Sequence, residues 1–258
     1  MSNITILGAS GSKSATSGSS AFLLNPTHVM DAGNLLVPLS KTNADIDTIW
    51  LTHSHLDHIS DIAYIIDNYY EKRTKTLRVC GLKETLETVK KHFLNGEIWP
   101  DFSKIPLHNG SDMTLRYEAI ELEKEYTIGK NEYIRALATD HTVPSCGYVI
   151  TKEENSLLVS ADTYALDNVI KTVNNTKNIT TLVIECSFPS SMFSLAKESK
   201  HLTPEILFMR LKELEDIGLK LYINHLKPSY EKIITEEVEA LKGNWNVTIL
   251  KDGDKIYF

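Results

Sequence analysis

The stretch Thr52-His53-Ser54-His55-Leu56-Asp57-His58 holds three imidazoles and one carboxylate, a poor composition for a hydrophobic core and a good one for a metal site. The segment Asp45 to Thr52 reads as a strand, with Ile46, Ile49 and Leu51 between polar residues, and Ile59 to Tyr70 has helical periodicity. The cluster therefore sits on a strand-to-helix turn. There His53 and His55, at i and i+2, can meet one cation, while Asp57 and His58 start the helix and can swing toward a second. Imidazole and carboxylate suit zinc, iron or manganese, whereas structural zinc more often takes cysteine thiolates. No cysteine lies near the cluster, which favours catalysis. The competing reading is a polar turn of solvated histidines, but ligand spacing of this kind is rare in ordinary turns.

The surrounding elements must position this turn. Ile4 to Leu7, Ala21 to Leu24 and Val29 to Ala32 read as short strands, the last ending in an Asp31-Ala32-Gly33 turn, and a Ser/Gly-rich loop runs from Gly8 to Ser20. Leu77 to Cys80 and Leu82 to Phe93 continue as strand and helix. From Asn95 to Asp112 the pattern breaks at Gly96, Pro100, Pro106 and Gly110, which reads as a surface insertion or lid. Strands follow at Thr114 to Leu122, Tyr133 to Ala138, Gly147 to Thr151 and Leu157 to Ala161. The remainder alternates: helix Ala165 to Val173, strand Thr181 to Glu185, helix Pro204 to Asp216, strand Leu219 to Asn224, helix Glu231 to Leu241, strand Asn246 to Leu250. This is the pattern of a layered α/β fold.

Two cations need further ligands, and polar motifs stand just after three apolar strands: Thr139-Asp140-His141-Thr142-Val143-Pro144, Ser160-Ala161-Asp162-Thr163 and Asn224-His225-Leu226-Lys227-Pro228. The C-terminal ends of strands are where α/β layers usually carry their chemistry.

In order, His53, His55, Asp57, His58, His141, Asp162 and His225 match the ligand motifs of the metallo-β-lactamase superfamily, and the resemblance covers nearly the whole chain. It implies an α/β fold, a four-layer αββα sandwich of two sheets between helices, built as one domain over residues 1–258 with an insertion or lid near 95–112. It implies two divalent ions, zinc first and iron or manganese as alternatives. His53, His55 and His141 would hold one, Asp57, His58 and His225 the other, and Asp162 would bridge them. Glu185-Cys186-Ser187-Phe188 and His201-Leu202-Thr203-Pro204 resemble motifs of the class II cyclic-nucleotide phosphodiesterases within that superfamily. The implied activity is hydrolysis of the 3′,5′-cyclic nucleotides cAMP or cGMP to 5′-monophosphates by a hydroxide shared between the metals. Glu185, His201 and Asp57 form the catalytic set, with His201 as the acid that protonates the leaving oxygen and Glu185 as its orienting carboxylate. The family pattern usually has Gly where Asp61 stands, so this carboxylate could alter the substrate floor.

His141-Thr142-Val143-Pro144-Ser145-Cys146-Gly147-Tyr148 also resembles ribonuclease Z, the tRNA 3′-processing member of the superfamily. That reading calls for a basic surface, whereas the 258-residue chain carries a formal net charge of −7, which disfavours a nucleic-acid partner. Thioester or lactone hydrolysis uses the same metals without a special reason for Glu185 and His201. The expected partner is thus a small cyclic nucleotide, with a homodimer left open. Apolar residues make up 42% and charged residues 24%, an ordinary globular balance. No apolar run is long enough to cross a bilayer and Met1 to Gly8 is too polar for a secretory signal, so the expected compartment is the cytoplasm. Cys80, Cys146 and Cys186 read as buried hydrophobes.

Thr52 and Asp140 adjoin ligands and could hydrogen-bond imidazole N–H groups. Lys227 could contact a phosphoryl oxygen, and Trp99 or Phe102 could either stack on a base or anchor the irregular segment. The basic run Glu71 to Arg78 reads as a solvated helix end. His28, His92 and His108 lie outside every motif.

Overall fold

The computed structural model describes residues 2–40, 46–215 and 218–258; Asp45 and Asp216, the expected bounds of a strand and a helix, lie outside them. The first half of the chain forms β1 (Asn3–Gly8), β2 (Ala21–Asn25), β3 (His28–Met30), β4 (Thr48–Trp50), β5 (Leu77–Gly81) and β6 (Leu115–Ala119). Among them lie α1 (Leu36–Ser40), α2 (Leu56–Asn68) and α3 (Lys83–His92). The second half forms β7 (Glu125–Gly129), β8 (Glu132–Ala138), β9 (Cys146–Lys152), β10 (Asn155–Val159), β11 (Ile179–Glu185), β12 (Lys220–Asn224) and β13 (Val247–Ile249). Its helices are α4 (Asp167–Asn175), α5 (Phe193–Glu198), α6 (Pro204–Leu211) and α7 (Glu231–Leu241), and β14 (Lys255–Tyr257) returns to the first sheet.

Each half builds one sheet, except that β14 of the second half joins the first. The first runs β14-β1-β2-β3-β4-β5-β6 and the second β13-β12-β11-β10-β9-β8-β7. Both are mixed: pairing is antiparallel from β14 to β3 and parallel from β3 to β6, and antiparallel from β7 to β10 and parallel from β10 to β13. Parallel neighbours need crossover connections, and those crossovers place α2 and α3 outside the first sheet and α4 and α6 outside the second.

The alternation along each strand explains the layering. In β9 and β10, Tyr148, Ile150, Leu157 and Val159 enter the core between the sheets, while Val149 and Leu158 pack toward the helices. In the first sheet Trp50 and Cys80 face inward, and Ile49 and Val79 face α2 and α3. Three apolar clusters between four layers are the result, as expected from the sequence.

Some elements lie outside the sequence pattern. β7, α5 and β14 lie outside it: α5 is mostly exposed, and only Ile128 of β7 and Ile256 of the three-residue β14 are buried, so none carries a strong hydrophobic period. Strand β6 is shorter than the expected Thr114 to Leu122. The irregular stretch after α3 is anchored by Phe102, buried with the α2–α3 core, and by Trp99, whose ring meets Tyr64 at 5.7 Å between centroids. Arg73, in the basic run, is buried and donates to the Ile46 carbonyl at 3.0 Å.

Lys152 ties the sheets together at the end away from the chemistry. Its buried ammonium leaves β9, donates to the carbonyl of Asn3 at 3.0 Å and to that of Leu24, and stands 3.6 Å from Glu132. Burial holds its pKa below that of an ordinary lysine despite the Glu132 charge. Removing a buried donor strands its acceptors. Lys152→Ala is expected to lower unfolding free energy by about 1–3 kcal/mol, read from urea midpoints; an unchanged midpoint would show the tie to be dispensable.

Candidate metal centre and catalytic site

Five chain segments deliver the polar residues to one rim of the sandwich, each from the C-terminal end of a strand. β4 leads into His53, His55 and the start of α2, where Asp57 occupies the first turn and favours the positive end of the helix dipole. β8 leads to His141, β10 to Asp162, and β12 to His225; β11 ends on Glu185 itself. The backbone turns sharply at these exits. Asp31, Ala161, Lys200 and His225 all have positive φ, between 53° and 64°, a region that non-glycine residues enter only when their surroundings hold them there. His225 is held by its N–H donating to the Ala9 carbonyl at 2.7 Å.

All seven expected ligands meet. His55 Nδ1 and His141 Nε2 approach to 3.1 Å, and His58 Nε2 and His225 Nε2 to 3.2 Å. Asp162 lies between the groups: its Oδ2 is 3.4 Å from His58 Nε2, 3.7 Å from His53 Nε2 and 3.9 Å from His141 Nε2, and its Oδ1 is 3.3 Å from His225 Nε2. Asp57 Oδ2 stands 3.6 Å from His225 Nε2 and 4.0 Å from His58 Nε2. His53 Nε2 and Asp162 Oδ1 are buried and make no hydrogen bond. Buried polar atoms almost always find partners, so two such atoms aimed into one cluster of imidazoles and carboxylates fit a pair of divalent cations. Cys80, Cys146 and Cys186 are free, buried and outside this set.

Charge follows from burial and crowding. Burial drives the His53 imidazole far below its ordinary pKa, helped by His58, and brings His141 to about 4. Both are neutral near pH 7, as metal coordination requires. Burial also pushes His58 down, but Asp162 and Asp31 override it and hold that imidazole well above the ordinary value. For Asp162, burial favours the neutral acid, yet His225, His58 and His53 keep the carboxyl well below the usual carboxylate range.

A second layer fixes which ring nitrogen faces inward. His58 Nδ1–H donates to Asp31 Oδ2 at 2.7 Å, and His53 Nδ1–H to Thr52 Oγ1 at 3.0 Å, while the Thr52 hydroxyl donates to Asp31 at 2.9 Å. His141 Nδ1–H donates to the Lys200 carbonyl at 3.2 Å. Carboxylates and carbonyls only accept, so these bonds hold each Nδ1 outward and turn Nε2 toward the cluster. Across the rim, Glu185 is fully buried and accepts from His201 Nδ1–H at 2.8 Å, Thr163 N–H at 3.0 Å and Ser187 O–H at 2.8 Å. Burial lowers the His201 pKa, but the Glu185 charge outweighs it and raises the imidazole above its ordinary value.

Several readings change. Thr52 does bond an imidazole, but Asp140 pairs instead with Lys200 Nζ at 2.6 Å. Lys227 Nζ donates to the Gly11 carbonyl at 2.6 Å, so its ammonium serves a loop. Asp61 is buried and accepts from Leu35 and Leu36 N–H at 2.7 and 2.9 Å and from Lys13 at 2.6 Å. It caps α1, an N-terminal need of any short helix, and its carboxylate is thereby engaged rather than free to line a substrate floor. His28 is buried and accepts from the Trp50 indole at 3.0 Å. Asp31 and Ser187 went unassigned in the sequence, although Asp31 follows β3 as the ligands follow their strands.

Asp31→Ala would strand the Thr52 N–H, which donates to Asp31 at 2.9 Å, and free the His58 ring. The expected outcome is a loss of about 1–3 kcal/mol in stability and roughly 10–100-fold weaker zinc binding, measured by urea unfolding and chelator competition. Unchanged zinc affinity would confine Asp31 to a structural role.

Residues 30–128 match the family described as cAMP phosphodiesterases class-II. A probable 3′,5′-cyclic-nucleotide phosphodiesterase of Yersinia pestis is 24% identical over 213 residues, 72% of this chain and 59% of that relative's length. The 3′,5′-cyclic-nucleotide phosphodiesterase 1 of Saccharomyces cerevisiae is 24% identical over 272 residues, covering 88% of this chain and 71% of the relative. Among solved structures, unliganded yeast PDE1 superposes with a TM-score of 0.82 at 19% identity, covering 99% of each chain. The metallo-β-lactamase fold protein YhfI of Bacillus subtilis gives 0.76 at 21% identity over 98% of each. The chain thus has the metallo-β-lactamase fold and, over residues 30–128, resembles the class II cAMP phosphodiesterases.

Proposed function

We propose that this chain is a metal-dependent phosphodiesterase that hydrolyses 3′,5′-cyclic nucleotides, cAMP or cGMP, to their 5′-monophosphates. The observation that carries this reading is the Glu185–His201 pair at 2.8 Å, packed against the ligand cluster with the His201 ring 5.0 Å from His141 and 5.5 Å from His225. Cleavage of a phosphodiester expels an alkoxide, and an acid beside it is useful in a way that binding alone does not require. Cyclic-nucleotide phosphodiesterases among the relatives support the substrate class.

His53, His55 and His141 would hold one cation, and Asp57, His58 and His225 the other, with Asp162 shared. When bound, such a pair supplies Lewis acidity that generates a hydroxide nucleophile near neutral pH and offsets charge on phosphorus. Zinc is the first candidate for this imidazole-rich set, and iron or manganese would also fit. His201 keeps Nδ1–H on Glu185, so its Nε2 is the nitrogen that passes a proton to the departing O3′ of the ribose. Glu185 fixes the tautomer and orientation of that ring. A carboxylate with three further donors, from Thr163, Ser187 and Leu202, is well held for this work. The net charge of −7 fits a small phosphate ester better than a precursor tRNA. No helix among the described residues is long and apolar enough to cross a membrane, and three free buried thiols suit a reducing compartment such as the cytoplasm.

His201→Ala should retain both metals and lose about 10²–10⁴-fold in kcat; near-normal turnover would remove the acid from the mechanism. Zinc-loaded protein is expected to hydrolyse cAMP or cGMP, to fail on precursor tRNA, to lose activity on chelation and to regain it with zinc. A His53→Ala variant serves as control. Activity confined to bis(p-nitrophenyl) phosphate or to tRNA would refute the substrate.

A further inference from the structure

Ser187 lies two residues beyond Glu185, is fully buried and has contacts beyond its bond to Glu185. Its Oγ stands 2.8 Å from Glu185 Oε2, 3.0 Å from His225 Nδ1, 3.1 Å from the His225 carbonyl and 3.2 Å from His201 Nδ1. A hydroxyl has one hydrogen and two lone pairs, so these four contacts cannot all be donations. The shortest and only charge-assisted acceptor is Glu185, which takes the hydrogen. His201 already directs its own Nδ1–H to Glu185. The Ser187 lone pairs are then left for His225 Nδ1, which must be the N–H end of that ring.

The packing around His225 closes off other arrangements. Gly11 lies so close that a Cβ there would come within 2.6 Å of the His225 carbonyl oxygen and 2.8 Å of Nδ1. Its backbone lies against that edge of the ring, and among the described residues Ser187 is the side chain in hydrogen-bond reach of Nδ1. With Nδ1 protonated, neutral His225 carries its lone pair on Nε2, the atom that faces His58, Asp57 and Asp162.

We propose that Ser187 is a positioning residue that sets the tautomer of His225 for one metal and couples that ligand to the carboxylate that orients His201. The inference rests on the dinuclear phosphodiesterase reading, and it adds that one buried carboxylate, Glu185, serves both the acid and a ligand, the second through a hydroxyl. The arrangement parallels the Thr52–Asp31 pair beneath His53 and His58, so each half of the molecule supplies a hydroxyl and a carboxylate to hold its imidazoles.

The test is stepwise zinc binding by chelator competition on full-length wild type, Ser187→Ala and Ser187→Thr, with folding checked by circular dichroism. Ser187→Ala is expected to bind one zinc within about threefold of wild type and the other about 10–100-fold more weakly. At saturating zinc its kcat should fall with KM nearly unchanged, and Ser187→Thr, which keeps the hydroxyl, should restore both properties. Two zinc affinities in Ser187→Ala equal to those of wild type would overturn the proposal, whether or not the threonine variant folds. Equal weakening of both sites would also overturn it, because that pattern reports general loosening rather than the loss of one ligand's partner. Wild type that binds fewer than two zinc ions would instead overturn the dinuclear reading beneath it.

Discussion

Asp162 is 2% exposed and lies within 3.9 Å of four imidazole nitrogens. Taking a carboxylate out of water is costly unless opposite charge and directed donors replace the solvent, and everything at this rim answers that constraint. The imidazoles converge on it from both sheets. Behind them stand acceptors that occupy the outward nitrogens and fix which nitrogen of each ring faces inward. A site of this kind is a fixed arrangement of dipoles around a charge, and rigidity of the support matters as much as the identity of the ligands.

The support reaches comparable distances along the chain in both sheets. Around the first, Asp31 just after β3 holds Thr52 and His58, 21 and 27 residues away, with β3 and β4 parallel neighbours that pair in register at Met30 and Trp50. Around the second, Glu185 at the end of β11 binds Thr163 and His201, 22 and 16 residues away, and Ser187 binds His225, 38 residues away. The backbone contributes as well, since the Lys200 carbonyl that receives His141 belongs to a residue in the left-handed region.

Much of this was legible in the residues. The four-layer architecture follows from the alternation of strands and helices, and the residues that converge at the rim are chemically conspicuous ones placed just after apolar strands. The supporting residues were harder to read. Asp31 looks like an ordinary turn residue, Ser187 is a common type in a motif dominated by Glu185, and a carbonyl donated by Lys200 has no side-chain signature. Asp61 and Lys227 failed in the opposite sense. Their charges invited chemical roles, but tertiary neighbours, the amides starting α1 and the carbonyl of Gly11, claim them. The strands β7 and β14 escaped because short segments with one or two buried residues have too little periodicity to register.

The proposed ligands are divided between the two halves of the chain: His53, His55, Asp57 and His58 precede β6, whereas His141, Asp162 and His225 follow it. During synthesis the histidine-rich turn therefore emerges long before the shared carboxylate and the last imidazole. Until then it offers a cation three rings and one acid without the enclosure that makes them selective. Firm metal capture by the proposed set would then be a late event, coincident with docking of the two sheets.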